Sequence, residues 1–185
     1  LTPRDAAKGA DIVCICVGDD NDVRSVVLTQ DGVLAGMPEG GVIIDHTTAS
    51  AALAREVYEL AAQRGLGFLD APVSGGQVGA LNGALSIMVG GEATVFARVE
   101  AVLQVYARCV RLLGPVGSGQ LAKMVNQICI TGVLQGLAEG MAFSKMAGLD
   151  TAAVIEVISQ GAAQSWQMDN RHRTMLAHTY EHGFA

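Results

Sequence analysis

Short apolar segments alternate with helical segments through the first 113 residues, and no other feature constrains the fold as strongly. Three of these segments are "ADIVCICVG" at 10–18, "GGVIIDHTTAS" at 40–50 and "GLGFLDAPVSGG" at 65–76. Continuous apolar runs, rather than polar–apolar alternation, are typical of strands buried on both faces of a sheet. Helical segments follow the first two strands, with Asp19 or Asp20 as a candidate N-cap for the first and Ser50 for the second. The alternation therefore predicts an α/β fold wound around a largely parallel sheet.

The next segments continue the sheet. "ALSIMVGG" at 84–91 is a fourth strand, and it follows the third strand so closely that part of the sheet is expected to be antiparallel. "EATVFARVEAVLQVY" at 92–106 is an amphipathic helix, and "RCVRLLG" at 108–114 is a fifth strand.

After Gly119 the sequence changes character. Residues 119–147 contain no proline and no strand-like alternation, which predicts one helix of nearly 30 residues, about 40 Å long. It is apolar on most sides, so burial on most sides is expected. Glycines recur every four residues at Gly132, Gly136 and Gly140, which predicts close packing against another helix. We therefore predict a partial Rossmann-like domain over 1–116 and part of an all-α domain over 117–185, with two further helices after the long one.

The amino-acid composition limits the classes of partner that the chain is expected to bind. The net charge is −6 and no Lys/Arg-rich block is present, which disfavours nucleic acid. No apolar run reaches the roughly 20 residues of a membrane span. The four cysteines form no C-x-x-C pair and no ligand cluster suggests a metal site, so we expect buried free thiols, no metal and a cytoplasmic location. A small molecule remains the expected partner.

"DAPVSGG" at 70–76 is the first motif that could carry chemistry. A strand ends there in Ser74, Gly75 and Gly76, whose backbone N–H groups and hydroxyl could form a nest for an anion. An ordinary glycine turn is the alternative.

"GPVGSGQLAKMVNQ" at 114–127 is the second motif. Its glycines follow neither the G-x-G-x-x-G order of a dinucleotide fingerprint nor the P-loop pattern. Lys123, Asn126 and Gln127 share one helix face in an otherwise apolar segment. A buried lysine without a partner has a lowered pKa and can serve as a general acid or base. The alternative is a lysine that extends to solvent beside a helix end.

The two motifs, in this order and about 38 residues apart, resemble those of the β-hydroxyacid dehydrogenase superfamily. Its members include 3-hydroxyisobutyrate dehydrogenase, tartronate semialdehyde reductase and 6-phosphogluconate dehydrogenase. The resemblance implies NAD or NADP as cofactor and a small β-hydroxyacid, or the matching semialdehyde, as substrate. It implies that Lys123 is catalytic, that Asn126 assists it, and that Ser74, Gly75 and Gly76 bind the substrate carboxylate.

The same resemblance suggests three further site residues and one open position, and the position of Trp166 in the sequence adds another candidate. Val17 and Gly18 correspond to cofactor contacts after a strand, and Thr48 lies near the nicotinamide half of the cofactor, with helix capping as its alternative role. Gln127 occupies a position where some relatives carry a second asparagine that contacts substrate. Trp166, at a helix start, could wall the substrate pocket, with core packing as the alternative.

The resemblance also bears on assembly and completeness. Members associate through their α-domains, so a homo-oligomer such as a dimer is expected. The chain opens on what resembles a middle strand and ends at "HGFA", so we expect a fragment without the N-terminal dinucleotide fingerprint and without the C-terminal end. The alternative function is a non-catalytic cofactor-binding or interaction module. Imine reductases share the architecture but typically lack the lysine, so Lys123 disfavours that chemistry.

Overall fold

The computed structural model describes residues 2–180, which form six strands and nine helices. The strands are β1 Ile12–Ile15, β2 Val42–Asp45, β3 Gly67–Asp70, β4 Val73–Ser74, β5 Leu85–Gly91 and β6 Ala107–Gly114. The helices are α1 Pro3–Ala7, α2 Asp20–Val27, α3 Val33–Gly36, α4 Ala51–Ala62, α5 Gly76–Leu81, α6 Ala93–Gln104, α7 Ser118–Met146, α8 Thr151–Ile158 and α9 Trp166–Leu176.

The sheet is mixed, as the sequence predicts. Strands β1, β2 and β3 are parallel and adjacent, with Ile15 aligned to Asp45 and Asp45 aligned to Asp70. The chain then bends, so that β3 and β4 both pair antiparallel with β5, and β6 pairs parallel with β5. Because β1–β3 run in the same direction, their carboxyl ends meet at one edge. That edge carries Asp45 and Asp70 side by side.

Side-chain caps start the predicted helices at the expected places. The Asp19 carboxylate accepts hydrogen bonds from the backbone N–H groups of Asn21 and Asp22 at the start of α2. The Ser50 hydroxyl accepts one from Leu53 at the start of α4. Since Ser50 is the cap of α4, the alternative role of Thr48 as that cap is wrong.

The core of the first unit lies on both faces of the sheet. Ile43 and Ile44 are both fully buried, and because neighbouring strand residues point to opposite faces, they belong to different clusters. One cluster joins Ile43 to α2 and α4, and the other joins Ile44 to α6. Each such side chain contributes about 1.5–3 kcal/mol to stability through its burial.

The predicted burial of the cysteines is wrong, although all four thiols are free. Cys14, Cys16, Cys109 and Cys129 are exposed. The first two lie in or just after β1, which is an edge strand among the described strands and is flanked only by β2. Cys109 lies on β6 at the opposite edge. Thiols on edge strands keep one side uncovered, which the apolar sequence context did not reveal.

Helix α7 has nearly the predicted bounds but not the predicted burial. The chain divides into two compact units inside this helix, Leu1–Met124 and Val125–Ala185. In the second unit three residues of α7 are buried: Leu137 and Met141, which join the cluster that α8 and α9 complete, and Ser144. Val125, Ile128, Phe143 and Met146 are exposed.

The glycine stripe of α7 contacts no other described part of the chain. A Cβ placed on Gly132, Gly136 or Gly140 would meet no atom within 4 Å. The close helix contact predicted for this stripe is therefore absent within residues 2–180, because α8 and α9 cover a different side of α7. None of the helices in this range combines the length and the apolar composition of a transmembrane span.

The contact of α7 with the sheet gives a test of the fold. A Cβ on Gly119 would lie 2.5 Å from the backbone oxygen of Asp70 and still closer to that of Met88. Neither atom belongs to a flexible side chain, so we expect Gly119→Ala to lower the free energy of unfolding by about 1–3 kcal/mol. Gly161→Ala is the matched control, since its nearest atom lies 3.7 Å away. Urea denaturation measures both variants, and equal effects would show that α7 does not pack on the sheet as described.

Candidate active site

Lys123 lies in the second turn of α7 and is buried in the first unit. It is 8% exposed, and its Nζ donates a hydrogen bond to the backbone oxygen of Val73 at 2.7 Å. No carboxylate among the described residues forms a salt bridge with it. Burial therefore lowers the pKa of Lys123 below its ordinary value. The alternative of a lysine that extends to solvent is wrong, and the side chain has the properties of an acid or base group.

The residue whose backbone oxygen binds Lys123, Val73, lies within the first motif. Val73 directly precedes Ser74, a half-buried residue whose hydroxyl has no hydrogen-bond partner among the described residues. Gly75 and Gly76 follow with φ of 130° and 62°, values that L side chains rarely adopt. Gly75 is also the N-cap of α5 and supplies no side-chain cap, so the first N–H groups of α5 are open. Hydroxyl and backbone donors thus converge beside the lysine anchor.

A buried carboxylate fixes the start of α7. The Oδ1 atom of Asp70 accepts a hydrogen bond from the Gly117 N–H at 2.8 Å, and its Oδ2 atom accepts one from the Gln120 N–H at 2.9 Å. Asp70 is the last residue of β3 and is fully buried. It therefore ties the positive end of the helix that carries Lys123 to the carboxyl edge of the sheet.

The side chain of Gln120 continues this network to the loop after β2. Its Nε2 donates to the backbone oxygen of Thr47 at 2.7 Å, and its Oε1 accepts from the Ala49 N–H at 3.0 Å. Gln120 is 1% exposed. The two bonds hold the backbone on either side of Thr48. We call Asp45, Thr47, Asp70 and Gln120 the polar cluster.

Thr47 connects the polar cluster to the ends of two strands. Its hydroxyl accepts a hydrogen bond from the Val17 N–H at 3.1 Å, and its own N–H donates to Asp45 Oδ1 at 2.9 Å. The sequence predictions missed Asp45, Thr47, Asp70 and Gln120 as site residues. The signal that could have found Gln120 was its polar amide three residues before Lys123, on the same helix face.

Burial dominates the ionisation of the two carboxylates in the polar cluster. Loss of solvation raises the pKa of Asp45, against hydrogen bonds from Thr47 that lower it. Loss of solvation likewise raises the pKa of Asp70, against the backbone hydrogen bonds from Gly117 and Gln120. The hydrogen bonds therefore replace only part of the solvation that each carboxylate loses on burial.

The predicted cofactor residues lie at the carboxyl edge of the parallel strands. Val17 and Gly18 follow β1, and Thr48 follows β2 with its side chain exposed. The Gly18 N–H donates to Asp22 Oδ2 at 3.1 Å. This edge is where open α/β sheets bind their ligands. Through Thr47, the structure links Val17 to the same network that holds the Thr48 loop.

The remaining predicted site residues belong to the second unit. Asn126 Nδ2 donates to Gln127 Oε1 at 3.0 Å, and Gln127 is exposed. Trp166 begins α9, is 58% exposed, and has the Arg171 guanidinium 5.6 Å from its ring centre. Core packing, the alternative role of Trp166, is therefore wrong.

A separate cleft lies between α8 and α9 of the second unit. It is lined in part by Glu156, Asp169 and Arg173, which are exposed, and by His172, whose Nδ1 is 2.6 Å from the Met168 backbone oxygen. We give more weight to the Lys123 region, because its polar groups are buried and aligned by hydrogen bonds. Within residues 2–180, no group of three His, Cys, Asp or Glu side chains is placed to hold a metal ion.

Comparison with protein-family models matches nearly the whole chain in two parts. Residues 1–114 match the model described as the NAD binding domain of 6-phosphogluconate dehydrogenase. Residues 117–185 match the model described as the NAD-binding region of NADP-dependent 3-hydroxyisobutyrate dehydrogenase.

Individual relatives agree with these models. The chain is 60% identical over 184 residues to an uncharacterized oxidoreductase of Shewanella frigidimarina, covering 100% of this chain and 63% of that protein. It is 41% identical to a mitochondrial 3-hydroxyisobutyrate dehydrogenase-like protein of Arabidopsis thaliana, covering 100% of this chain and 62% of that protein. The crystal structure of 3-hydroxyisobutyrate dehydrogenase from Salmonella typhimurium superposes with a TM-score of 0.87 at 31% identity, covering 97% and 62% of the two chains. The chain thus spans less than two thirds of the length of these relatives.

Proposed function

The chain belongs to the NAD(P)-dependent hydroxyacid dehydrogenase family, and from this membership we propose that it oxidises a small β-hydroxyacid, or reduces the matching semialdehyde. One observation carries the proposal for this chain: Lys123 is buried, forms no salt bridge within residues 2–180, and bonds to the backbone oxygen of Val73, next to Ser74. We propose that the chain divides within the second motif, into a cofactor-binding domain over 1–116 and part of an all-α domain over 117–185.

The carboxyl edge of β1 and β2 fits the nicotinamide half of NAD or NADP. Thr48 presents an exposed hydroxyl there, and the backbone on both sides of Thr48 is held by Gln120. Val17 and Gly18 supply backbone at the end of β1, next to this loop. When bound, NAD(P) accepts a hydride in the oxidative direction and supplies one in the reductive direction.

We assign to Lys123 the transfer of the proton to and from the substrate oxygen. In oxidation its neutral amine takes the proton of the substrate hydroxyl, and in reduction its ammonium returns a proton to the carbonyl oxygen. Burial lowers the pKa of Lys123, so that at any given pH a larger fraction of it is the neutral amine than for an ordinary lysine. The bond to the Val73 oxygen restrains the flexible lysine stem, so that Nζ stays beside the Ser74 loop.

The Ser74 loop binds the substrate carboxylate. Its donors are the free Ser74 hydroxyl and the open N–H groups around Gly75 and Gly76. We propose Asn126 as the helper of Lys123, one helical turn further along α7, and Gln127 and Trp166 as substrate-binding residues.

The four free and exposed thiols support a cytoplasmic location, since such groups persist in a reducing compartment. The alternative function, a module that binds cofactor or a partner without turnover, gives no reason for a buried lysine beside a donor-rich loop. Fluorescence titration with NADH and NADPH, run alongside assays over a panel of hydroxyacids, separates the two functions. It also decides between the two cofactors.

Replacing the lysine tests the catalytic assignment. We expect Lys123→Ala to lower kcat by about 10²-fold or more, the range for a positioned acid or base, with little change in cofactor Kd. In the wild type, kcat/KM for oxidation should rise with pH through the lowered lysine pKa, because only the neutral amine accepts the proton. Lys145→Ala is the control, as Lys145 lies on an exposed turn of α7. A Lys123→Ala variant with near-wild-type kcat over the panel would refute the assignment.

Removing the serine hydroxyl tests the carboxylate site. Ser74→Ala deletes one donor to a charged group, worth about 1.5–3 kcal/mol, so KM should rise by roughly tenfold or more. Because the backbone donors stay, kcat should change little. The effect should disappear with substrates that lack a carboxylate. An equal effect on both kinds of substrate would point to a defect in folding or cofactor binding instead.

We expect the chain to self-associate, because one side of α7 exposes large apolar side chains. Ile128, Phe143 and Met146 are 72%, 70% and 88% exposed, which is an unusual load of large apolar side chains for one helix. We propose that a second copy of the chain covers them. Light scattering across a dilution series should show a dimer or larger species that dissociates on dilution, and Phe143→Glu should weaken it. A monomer of 19.1 kDa at all concentrations would contradict the proposal.

A further inference from the structure

We propose that Gln120 is a positioning residue that couples the loop of residues 47–49 to Lys123, so that occupancy of the loop helps to align the lysine. The proposal rests on the proposed function, because it takes Lys123 as the acid–base group and Thr48 as a cofactor contact. It assigns Gln120 no contact with substrate or cofactor.

The amide of Gln120 makes two hydrogen bonds that point to the same loop. Nε2 donates to the Thr47 oxygen at 2.7 Å, and Oε1 accepts from the Ala49 N–H at 3.0 Å. Thr48 lies between these two residues and remains exposed. The amide therefore holds the backbone of the loop and leaves the Thr48 side chain open to a ligand.

The backbone of Gln120 is also held by a hydrogen bond. Its N–H donates to Asp70 Oδ2 at 2.9 Å, and the neighbouring bond from Gly117 to Oδ1 orients the same carboxylate. One residue therefore connects β3, the loop after β2 and the first turn of α7. All of these atoms are buried in the first unit.

Gln120 and Lys123 lie close enough along α7 for a displacement of Gln120 to change the position of Lys123. Three residues of α-helix correspond to a rise of about 4.5 Å and place the two side chains on one face. Lys123 then reaches back to the Val73 oxygen beside Ser74. A displacement of the 47–49 loop is thus transmitted through Gln120 to the helix turn that sets the position of Nζ.

A purely structural amide is the competing explanation, and the substitution Gln120→Met separates the two. Methionine has a similar volume but makes neither hydrogen bond, so the Thr47 oxygen and the Ala49 N–H lose their partner. Gln104→Met is the matched control, since Gln104 is exposed and bonds only to Glu100. All variants are made in the full-length protein.

Two measurements distinguish a role of Gln120 in positioning Lys123 from a purely structural role. First, kcat of Gln120→Met should fall by about tenfold to a hundredfold, the scale of a misplacement of about 1 Å, with KM for the hydroxyacid changing much less. Second, NMR titration of the Lys123 side chain in the cofactor-free protein should give a pKa above that of the wild type. Water reaches the ammonium group once the first turn of α7 is loosened. Gln104→Met should leave both quantities unchanged.

The variant Gln120→Glu is a second, more conservative test. Its carboxyl group keeps an acceptor for the Ala49 N–H, and while protonated it also keeps a donor for the Thr47 oxygen. We expect kcat near that of the wild type at low pH and a loss as the new carboxyl ionises. A structural role alone predicts lower stability without a new step in the pH profile of kcat.

Parallel measurement of Lys123→Ala keeps the two proposals distinguishable. Full activity of Lys123→Ala would refute the proposed function itself. If Lys123→Ala is inactive while both Gln120 variants match Gln104→Met in kcat and in the lysine pKa, only the role of Gln120 is overturned. In the Lys123→Ala background, Gln120→Met should cause no further loss of kcat, because its effect acts through the lysine.

Discussion

The pair of hydrogen bonds from the start of α7 to the buried Asp70 carboxylate sets the geometry of the candidate site. It joins the end of β3 to the helix that carries Lys123. A buried carboxylate is costly unless hydrogen bonds replace its solvation, and here backbone N–H groups at the positive end of a helix do so. Because both partners are backbone donors, these two bonds to Asp70 do not depend on the side chains of α7.

The polar cluster extends this constraint from one helix to three strand ends. Asp45 and Asp70 end neighbouring parallel strands, Thr47 follows β2, and Gln120 reaches them from α7. Such a cluster inside an otherwise apolar interior has a defined geometry, since each hydrogen bond has a required direction. The loops around it therefore form a rigid frame at the edge of the sheet, where an α/β fold binds its ligand.

The sequence predicted β1–β3, β5, β6 and the longer helices, because their signals are local, and it missed the short elements α1, α3, α5 and β4. The strands, the caps Asp19 and Ser50, and the length of α7 all follow from neighbouring residues. Lys123 was selected as a candidate because it interrupts an apolar helix. Gln120 and Asp70 were missed because their partners lie 47 to 73 residues away along the chain, beyond the reach of any local pattern. The exposure of the cysteines and of much of α7 depends on which elements cover them, which hydrophobicity alone does not specify.

A crystal structure of the full-length protein with oxidised cofactor and a small β-hydroxyacid would show whether Lys123 meets a substrate held by the Ser74 loop. We expect the nicotinamide beside Thr48, the substrate carboxylate on Ser74 and the Gly75–Gly76 turn, and the substrate hydroxyl within about 2.6–3.2 Å of Lys123 Nζ. Lys123 would then have exchanged or extended its bond to the Val73 oxygen. A hydroxyacid bound away from Lys123, such as in the cleft between α8 and α9, would contradict the account.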